Sequence, residues 1–145
     1  MIGIRLVHEA IDPAALIKCV SAADKGAISL FLGTVREMNE GRSVAALRYS
    51  AYSEMAETEL VRIADEMRDQ FGVTSAVIEH RLGPLEIGDI AIGIAVSHAH
   101  RAPAIAAVAY AMDEIKRRVP IWKEEEYTDG TKEWVDPTAH GAVLK

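Results

Sequence analysis

Three groups of side chains in this sequence are of types that carry chemistry. The first is His100-Arg101, placed where an apolar run gives way to a helical pattern. The unpaired N–H groups and positive dipole end of a helix favour an anion there. Arginine adds a planar fork suited to phosphate or carboxylate. The same pair also reads as a surface charge beside a capping histidine. The second group is Lys116 and Lys123, separated by Pro120 and Trp122. Lys116 borders a helical stripe through Met112, and Trp122 stands beside Lys123, where it can desolvate the amine. A desolvated lysine serves as acid, base or nucleophile. A solvated Lys116-Arg117-Arg118 run closing a helix, where cations are favoured anyway, is the plainer reading. The third is Arg36, beside Asn39 and Gly41, either a ligand clamp or a loop charge.

Other reactive types point elsewhere. The five histidines lack acidic or cysteine companions at metal-ligand spacing. His98 and His100 share a side of an extended strand but bring no third ligand, so no metal is expected. The single cysteine, Cys19, excludes an internal disulfide framework. Its apolar neighbours on a short helix place it in the core rather than at a reacting centre. No phosphate-cradling glycine loop, nucleophile elbow or dinucleotide fingerprint is present.

The elements that must position these groups are legible from periodicity. Ile2 to His8 reads as a strand, and Asp12-Pro13 opens a short helix to about Val20. Ala27 to Val35 is a strand with Ile28, Leu30 and Leu32 on one face. Arg36 to Ser43 is polar and contains glycine, the mark of an exposed loop. Val44 to Tyr52 is a strand, with Ser53 as cap of a helix carrying Ala56, Leu60, Ile63, Ala64, Met67 and Phe71 inward, ended by Gly72. Val73 to Leu82 is a strand, Gly83-Pro84 and Gly88-Asp89 bracket a turn, and Ile90 to Val96 is apolar enough to be central. The next helix begins at Ala102-Pro103, buries Ile105, Val108, Ala109, Met112 and Ile115, and stops at Pro120. Ile121 to Tyr127 and Lys132 to Val135 form a hairpin, and 136–145 is expected to be a loose tail. The order βαββαββαββ implies an α+β sandwich in one domain over 1–145.

Of the 145 residues, 50% are hydrophobic and 26% charged, enough for a packed core and too apolar for a disordered chain. A net charge of −6 argues against a non-specific nucleic-acid binder. No apolar run approaches the roughly 20 residues of a membrane span, and the first residues do not form a secretory signal. A cytoplasmic protein without nucleic-acid or membrane partners is expected.

Taken together, the motifs resemble the large, catalytic subunit family of molybdopterin synthase over nearly the whole chain. The resemblance lies in Gly33-Thr34-Val35-Arg36 with Asn39 and Gly41, and in Leu47-Arg48-Tyr49 with Tyr52 and Met55. It continues through His80-Arg81-Leu82-Gly83 with Gly88-Asp89, then Ser97 with His100-Arg101. Met112-Asp113, Lys116, Pro120, Trp122-Lys123 and Glu125 complete it. Their order and spacing, above all from Lys116 to Glu125, make the pattern specific.

The resemblance implies an α/β hammerhead-type fold with an additional small β subdomain. It implies a homodimer within a heterotetramer, with a small ubiquitin-like sulfur-carrier subunit docked at each end. The carrier's C-terminal thiocarboxylate would supply two sulfurs to cyclic pyranopterin monophosphate, forming the dithiolene of molybdopterin, with no cofactor on this chain. By matching position Lys116 and Lys123 are catalytic, and Phe31, Thr34, Val35, Arg36, His100, Arg101, Glu124 and Glu125 line the substrate site. Two departures stand out. Glu124 occupies a position often basic in the family, and after Trp134-Val135, where the family often has an arginine, only His140 and Lys145 are basic, so that contact is either absent or replaced.

Two other classes compete: a dimeric binding module without chemistry, and a phosphate-handling hydrolase, for which no metal site or activated nucleophile is visible. Arg101 and Lys116 are 15 positions apart on one helix, hence about 22 Å along its axis. One small ligand cannot readily touch both, yet the resemblance places both at the substrate, so a site shared between two copies is expected, the alternatives being a helix broken before Lys116 or two separate ligands.

Overall fold

A computed structural model describes residues 1–135 and the backbone of 143–144. Strand β1 (Ile2–Val7) leads into α1 (Pro13–Val20). That helix starts as the sequence implies, with the Asp12 carboxylate accepting from the Ala14 N–H at 3.0 Å and Pro13 in the first turn. Strands β2 (Ala27–Thr34), β3 (Met38–Asn39) and β4 (Arg42–Ala51) follow. Helix α2 (Ser53–Phe71) buries Ala56, Leu60, Ile63, Ala64 and Met67 and ends at Gly72, whose φ of 69° suits glycine best. Then come β5 (Ser75–Arg81), β6 (Gly83–Glu86) and β7 (Ile90–His98). Helix α3 (Arg101–Arg118) stops ahead of Pro120, and β8 (Ile121–Tyr127), β9 (Lys132–Val135) and β10 (Val143–Leu144) complete the order.

The strands make two sheets. In the first, ordered β1-β5-β7-β2, only β1 and β5 run parallel. Interior strand β7 is buried from Ala91 to Ser97, which accounts for its unbroken apolar character. One face of this sheet packs under α2 and α3 through Ile78, Ile92, Ile94 and Val96. The other receives α1, whose Leu16 and Val20 meet Val77 and Ala95. A Cβ at Gly93 would collide with Leu16, so glycine there admits the helix. The second sheet is ordered β10-β9-β8-β4-β3, with β6 also paired to β4. Val35, Leu47, Leu85 and Ala91 pack where the two sheets meet. The α+β class holds, the second sheet forming the added β layer.

Several local expectations are corrected. The segment from Arg36 to Ser43 is not a plain loop: Met38 pairs with Ser43 and Asn39 with Arg42. The turn between them places Glu40 and Gly41 at φ 49° and 79°, and two such left-handed residues match the twist of paired strands. Too short to show alternation, β3 left no periodic signal. Gly83–Glu86 is a strand rather than part of a turn because β4 offers it an edge, with Leu85 opposite Leu47. Tyr52, not Ser53, is the cap residue of α2 and makes no side-chain cap bond. On α3 the buried stripe runs through Ala104, Ala107, Val108, Ala111 and Ile115. Ile105 is 60% exposed and Ala109 is exposed as well; the small alanines face the sheet instead. Ile28 is exposed while Leu30 and Leu32 pack against α1's layer. Cys19 is exposed, because Leu16 and Val20 take the inward face of α1. The expected loose tail lies outside the described residues except at Val143–Leu144, which pair with β9. No helix among the described residues is long and apolar enough to cross a membrane.

Candidate active site

A cavity of about 340 Å³ opens where the end of β2, the last turn of α3 and β8 converge. Phe31, Thr34, Val35 and Arg36 line it from β2 and the residues after it, Lys116 from α3, and Lys123 and Glu125 from β8. The register of β2 against β7 shifts between Gly33 and Thr34, and such an irregularity bends a strand away from its sheet. Val35 is then clamped on both sides. Its N–H donates to the Asp89 carbonyl at 2.9 Å, and its own carbonyl accepts from the Gly88 N–H at 2.8 Å.

Strand β8 sorts its residues by alternation. Ile121, Lys123 and Glu125 face the cavity and Tyr127 is buried beyond them. Trp122, Glu124 and Glu126 take the other face. Two expectations therefore change. Trp122 does not cover the Lys123 amine; it packs edge-on against Tyr52, with ring centroids 4.5 Å apart. Glu124 lies opposite Arg48 and Trp134 across the sheet, and does not line the cavity.

What holds Lys123 is Glu125, at 3.0 Å from its Nζ. The Glu125 side chain is 1% exposed. Its two oxygens accept from Asn39 Nδ2 at 2.9 Å each, and Oε1 also accepts from the Tyr127 hydroxyl at 2.8 Å. Burial pushes this carboxyl up, but the bonds from Asn39 and Tyr127 and the Lys123 charge outweigh it and hold it below the usual range. In return Tyr127 is pushed up by burial and by its bond to Glu125. Burial and the same carboxylate push Tyr49, across the cavity, up to about 12. Lys116, on the rim, is exposed and has no carboxylate partner among the described residues. It is at once a helix-terminal charge and part of the cavity wall, so both of its readings describe it.

His80 also lines the cavity, although it stood out in the sequence only as part of a motif. Its Nδ1 lies 2.9 Å from the Arg81 carbonyl and its ring meets Tyr49 edge-on at 4.8 Å. Burial pushes the imidazole down to about 4 from its ordinary 6.5, the Arg81 bond opposing only part of this. The unfolded chain therefore binds a proton below 6.5 that the folded chain refuses until about 4. Stability is full above that window and falls as pH drops through it, by up to about 3 kcal/mol. His80→Asn keeps a donor for Arg81 and removes the titration. Denaturation midpoints measured across this window should fall less in the variant; an identical decline would assign the loss to other groups.

His100 and Arg101 are not at this cavity. Both are exposed at the opposite end of α3, and His100 makes no side-chain cap bond. Its backbone N–H donates to His98 Nδ1 at 3.1 Å instead. No group of three or more His, Cys, Asp or Glu side chains is arranged to hold a metal among the described residues. Sequence reasoning missed Asn39, Tyr127 and Tyr49 as parts of the site. The parity of β8 was a usable signal for Tyr127, and none was available for the contact of Asn39 with a residue 86 positions away.

The family model described as "MoaE protein" matches residues 6–118. The molybdopterin synthase catalytic subunit of Pyrococcus abyssi is 45% identical over 129 residues, covering 89% of this chain and 86% of that one. The molybdopterin synthase catalytic subunit of Bos taurus is 47% identical over 75% of this chain and 58% of its own length. A crystal structure of molybdopterin synthase from Staphylococcus aureus superposes with a TM-score of 0.84 at 41% identity, over 89% of this chain and 93% of that one. With the likeness extending through sequence and fold alike, the chain belongs to the MoaE protein family, the catalytic subunits of molybdopterin synthase, and is accordingly an enzyme, a sulfurtransferase of molybdenum-cofactor biosynthesis.

Proposed function

We propose that this chain transfers two sulfurs to cyclic pyranopterin monophosphate, giving the molybdopterin dithiolene. The donors are C-terminal thiocarboxylates of a small ubiquitin-like carrier subunit, two carriers in turn each giving one sulfur and leaving as the carboxylate. The observation that carries this reading is the meeting of Lys116 and Lys123, from different elements, in one cavity with Arg36. Three cations in a partly enclosed space suit an anionic tail and a cyclic phosphate. The two lysines hold the thiocarboxylate and exchange protons as sulfur adds to the pterin side chain. Phe31, Thr34 and Val35 shape the wall, and Glu125 orients Lys123. Glu124, on the outer face of β8, has no part in this cavity.

His100 and Arg101 reach the substrate by way of a second copy of this chain. The start of α3 in one subunit faces the Lys116–Lys123 cavity of the other, and the assembly is a homodimer with a carrier at each end. The length of α3 supports this, since Arg101 and Lys116 stand near its two ends.

Single-turnover conversion of the cyclic precursor by this chain with a thiocarboxylated carrier tests the reading. Lys116→Ala should lower the rate roughly 10- to 100-fold, a partial loss because Lys123 remains to supply charge and protons. A full wild-type rate would return Lys116 to a solvated helix end. If replacing either lysine altered affinity alone, the chain would be a binding module.

A further inference from the structure

We propose that Asn39 is a positioning residue: seated by the β3–β4 hairpin, it fixes the Glu125 carboxylate against Lys123 and ties Arg36 to the same point. This role presupposes Lys123 at the reacting centre, as proposed above.

Both ends of the Asn39 amide are engaged. Nδ2 donates to the two oxygens of Glu125 at 2.9 Å each, while Oδ1 accepts from Arg36 Nη2 at 3.2 Å. An ionised carboxylate offers about four acceptor positions, and at 1% exposure Glu125 must fill them from the protein. Tyr127 and Lys123 each fill one, at 2.8 and 3.0 Å. Asn39 fills the other two.

No other side-chain type serves as well at this point. An amide presents a donor end to Glu125 and an acceptor end to Arg36. A carboxylate there would serve Arg36 and repel Glu125, and a serine would have to donate and accept through one short-reaching oxygen. The hairpin matters because its tight turn, with Glu40 and Gly41 at positive φ, is what brings residue 39 to β8 from 86 positions away.

The charged and titratable groups facing Glu125 come from several elements. Lys123 and Tyr127 lie on β8 with it. Tyr49 of β4 feels its charge, and Arg42 of β4 lies over the Tyr127 ring at 3.5 Å. Glu133 of β9 sits 3.4 Å from the Tyr127 hydroxyl, and Arg36 reaches it through Asn39. Asn39 is the one contact of Glu125 that does not titrate, so giving it a charge perturbs the set most selectively.

The test uses the full chain with thiocarboxylated carrier and cyclic precursor. Asn39→Asp is isosteric, keeps the acceptor for Arg36 and places a second carboxylate against Glu125. We expect kcat to fall roughly 10- to 100-fold with KM within about two-fold. The acid limb of the kcat–pH profile should move up by about one unit or more, with the Glu125 side-chain carbon titrating at correspondingly higher pH by NMR. Asn39→Ala, which removes the donor without adding charge, should show the same kcat loss with a smaller displacement of the profile. It guards against the charge itself opening the hairpin. Glu125 titrating as in the wild type in both variants would overturn the proposal. So would a rise in KM with kcat unchanged, which would make Asn39 a substrate contact. Normal turnover by Lys123→Ala would instead strike the assignment of the lysine, while a displaced Glu125 titration would still establish the grip of Asn39.

Discussion

Lys123→Ala should reduce sulfur transfer by about 10²- to 10⁴-fold, the usual contribution of a positioned proton-transfer group, while leaving carrier binding largely intact. Lys123 is the half-buried cation of the cavity, with 24% of its side chain exposed, and its ammonium is held 3.0 Å from a buried carboxylate. Such a group is poised in one place before substrate arrives, which a rim lysine on a solvated helix end is not. Removing it leaves Glu125 with its bonds from Asn39 and Tyr127, so the fold should survive, as a thermal melt would verify. Wild-type turnover in saturating carrier would remove Lys123 from the mechanism. Greatly weakened carrier binding with an unchanged rate at saturation would make it a docking residue.

The second large effect is a recovery. Arg101→Ala should weaken precursor binding by about 1.5–3 kcal/mol, the worth of a charge-assisted hydrogen bond, and Lys123→Ala should be nearly inactive. When the two chains are mixed and allowed to exchange, a mixed dimer would hold one site with both groups replaced and one with both intact. Random pairing of equal amounts makes about one quarter of all sites wild type, so activity at limiting precursor should rise toward that fraction. Each single-variant dimer lacks such a site. Absence of any recovery, with subunit exchange confirmed independently, would mean that each site is built within one chain.

Much of this arrangement was legible in the sequence, for reasons of period. Helices α2 and α3 and strand β7 are long or apolar enough to announce themselves, and Asp12-Pro13 and Gly72 mark helix ends through backbone conformations that few residues satisfy. Lys116 and Lys123 stood out as a pair. The environment of Lys123 was misread because a neighbour in sequence is on the opposite face in a strand: Trp122 turned away and Glu125, two residues on, came alongside. The same parity removed Glu124 from the cavity. Asn39 was visible as a motif residue beside Arg36 but not as a partner of Glu125, since nothing local in a two-residue strand records its long-range partner. On α3 hydrophobicity misled, because close packing against a sheet selects small side chains over large ones, leaving Ile105 outside and Ala104 within.

The alternation of β8 also limits how this chain can change in length. Deleting one residue between Pro120 and Lys123, with the start of the strand held, would pass every later side chain to the opposite face. Glu124 would then enter the place of Lys123, and Glu126 that of Glu125. A neutral lysine–glutamate pair would become two like negative charges, and with Arg36 and Lys116 still in the wall the cavity would lose its positive excess. Substitution can tune this strand gradually, but a single-codon deletion cancels the cavity's net positive charge in one step, so insertions and deletions should be tolerated in the Thr128–Thr131 turn long before they are tolerated here.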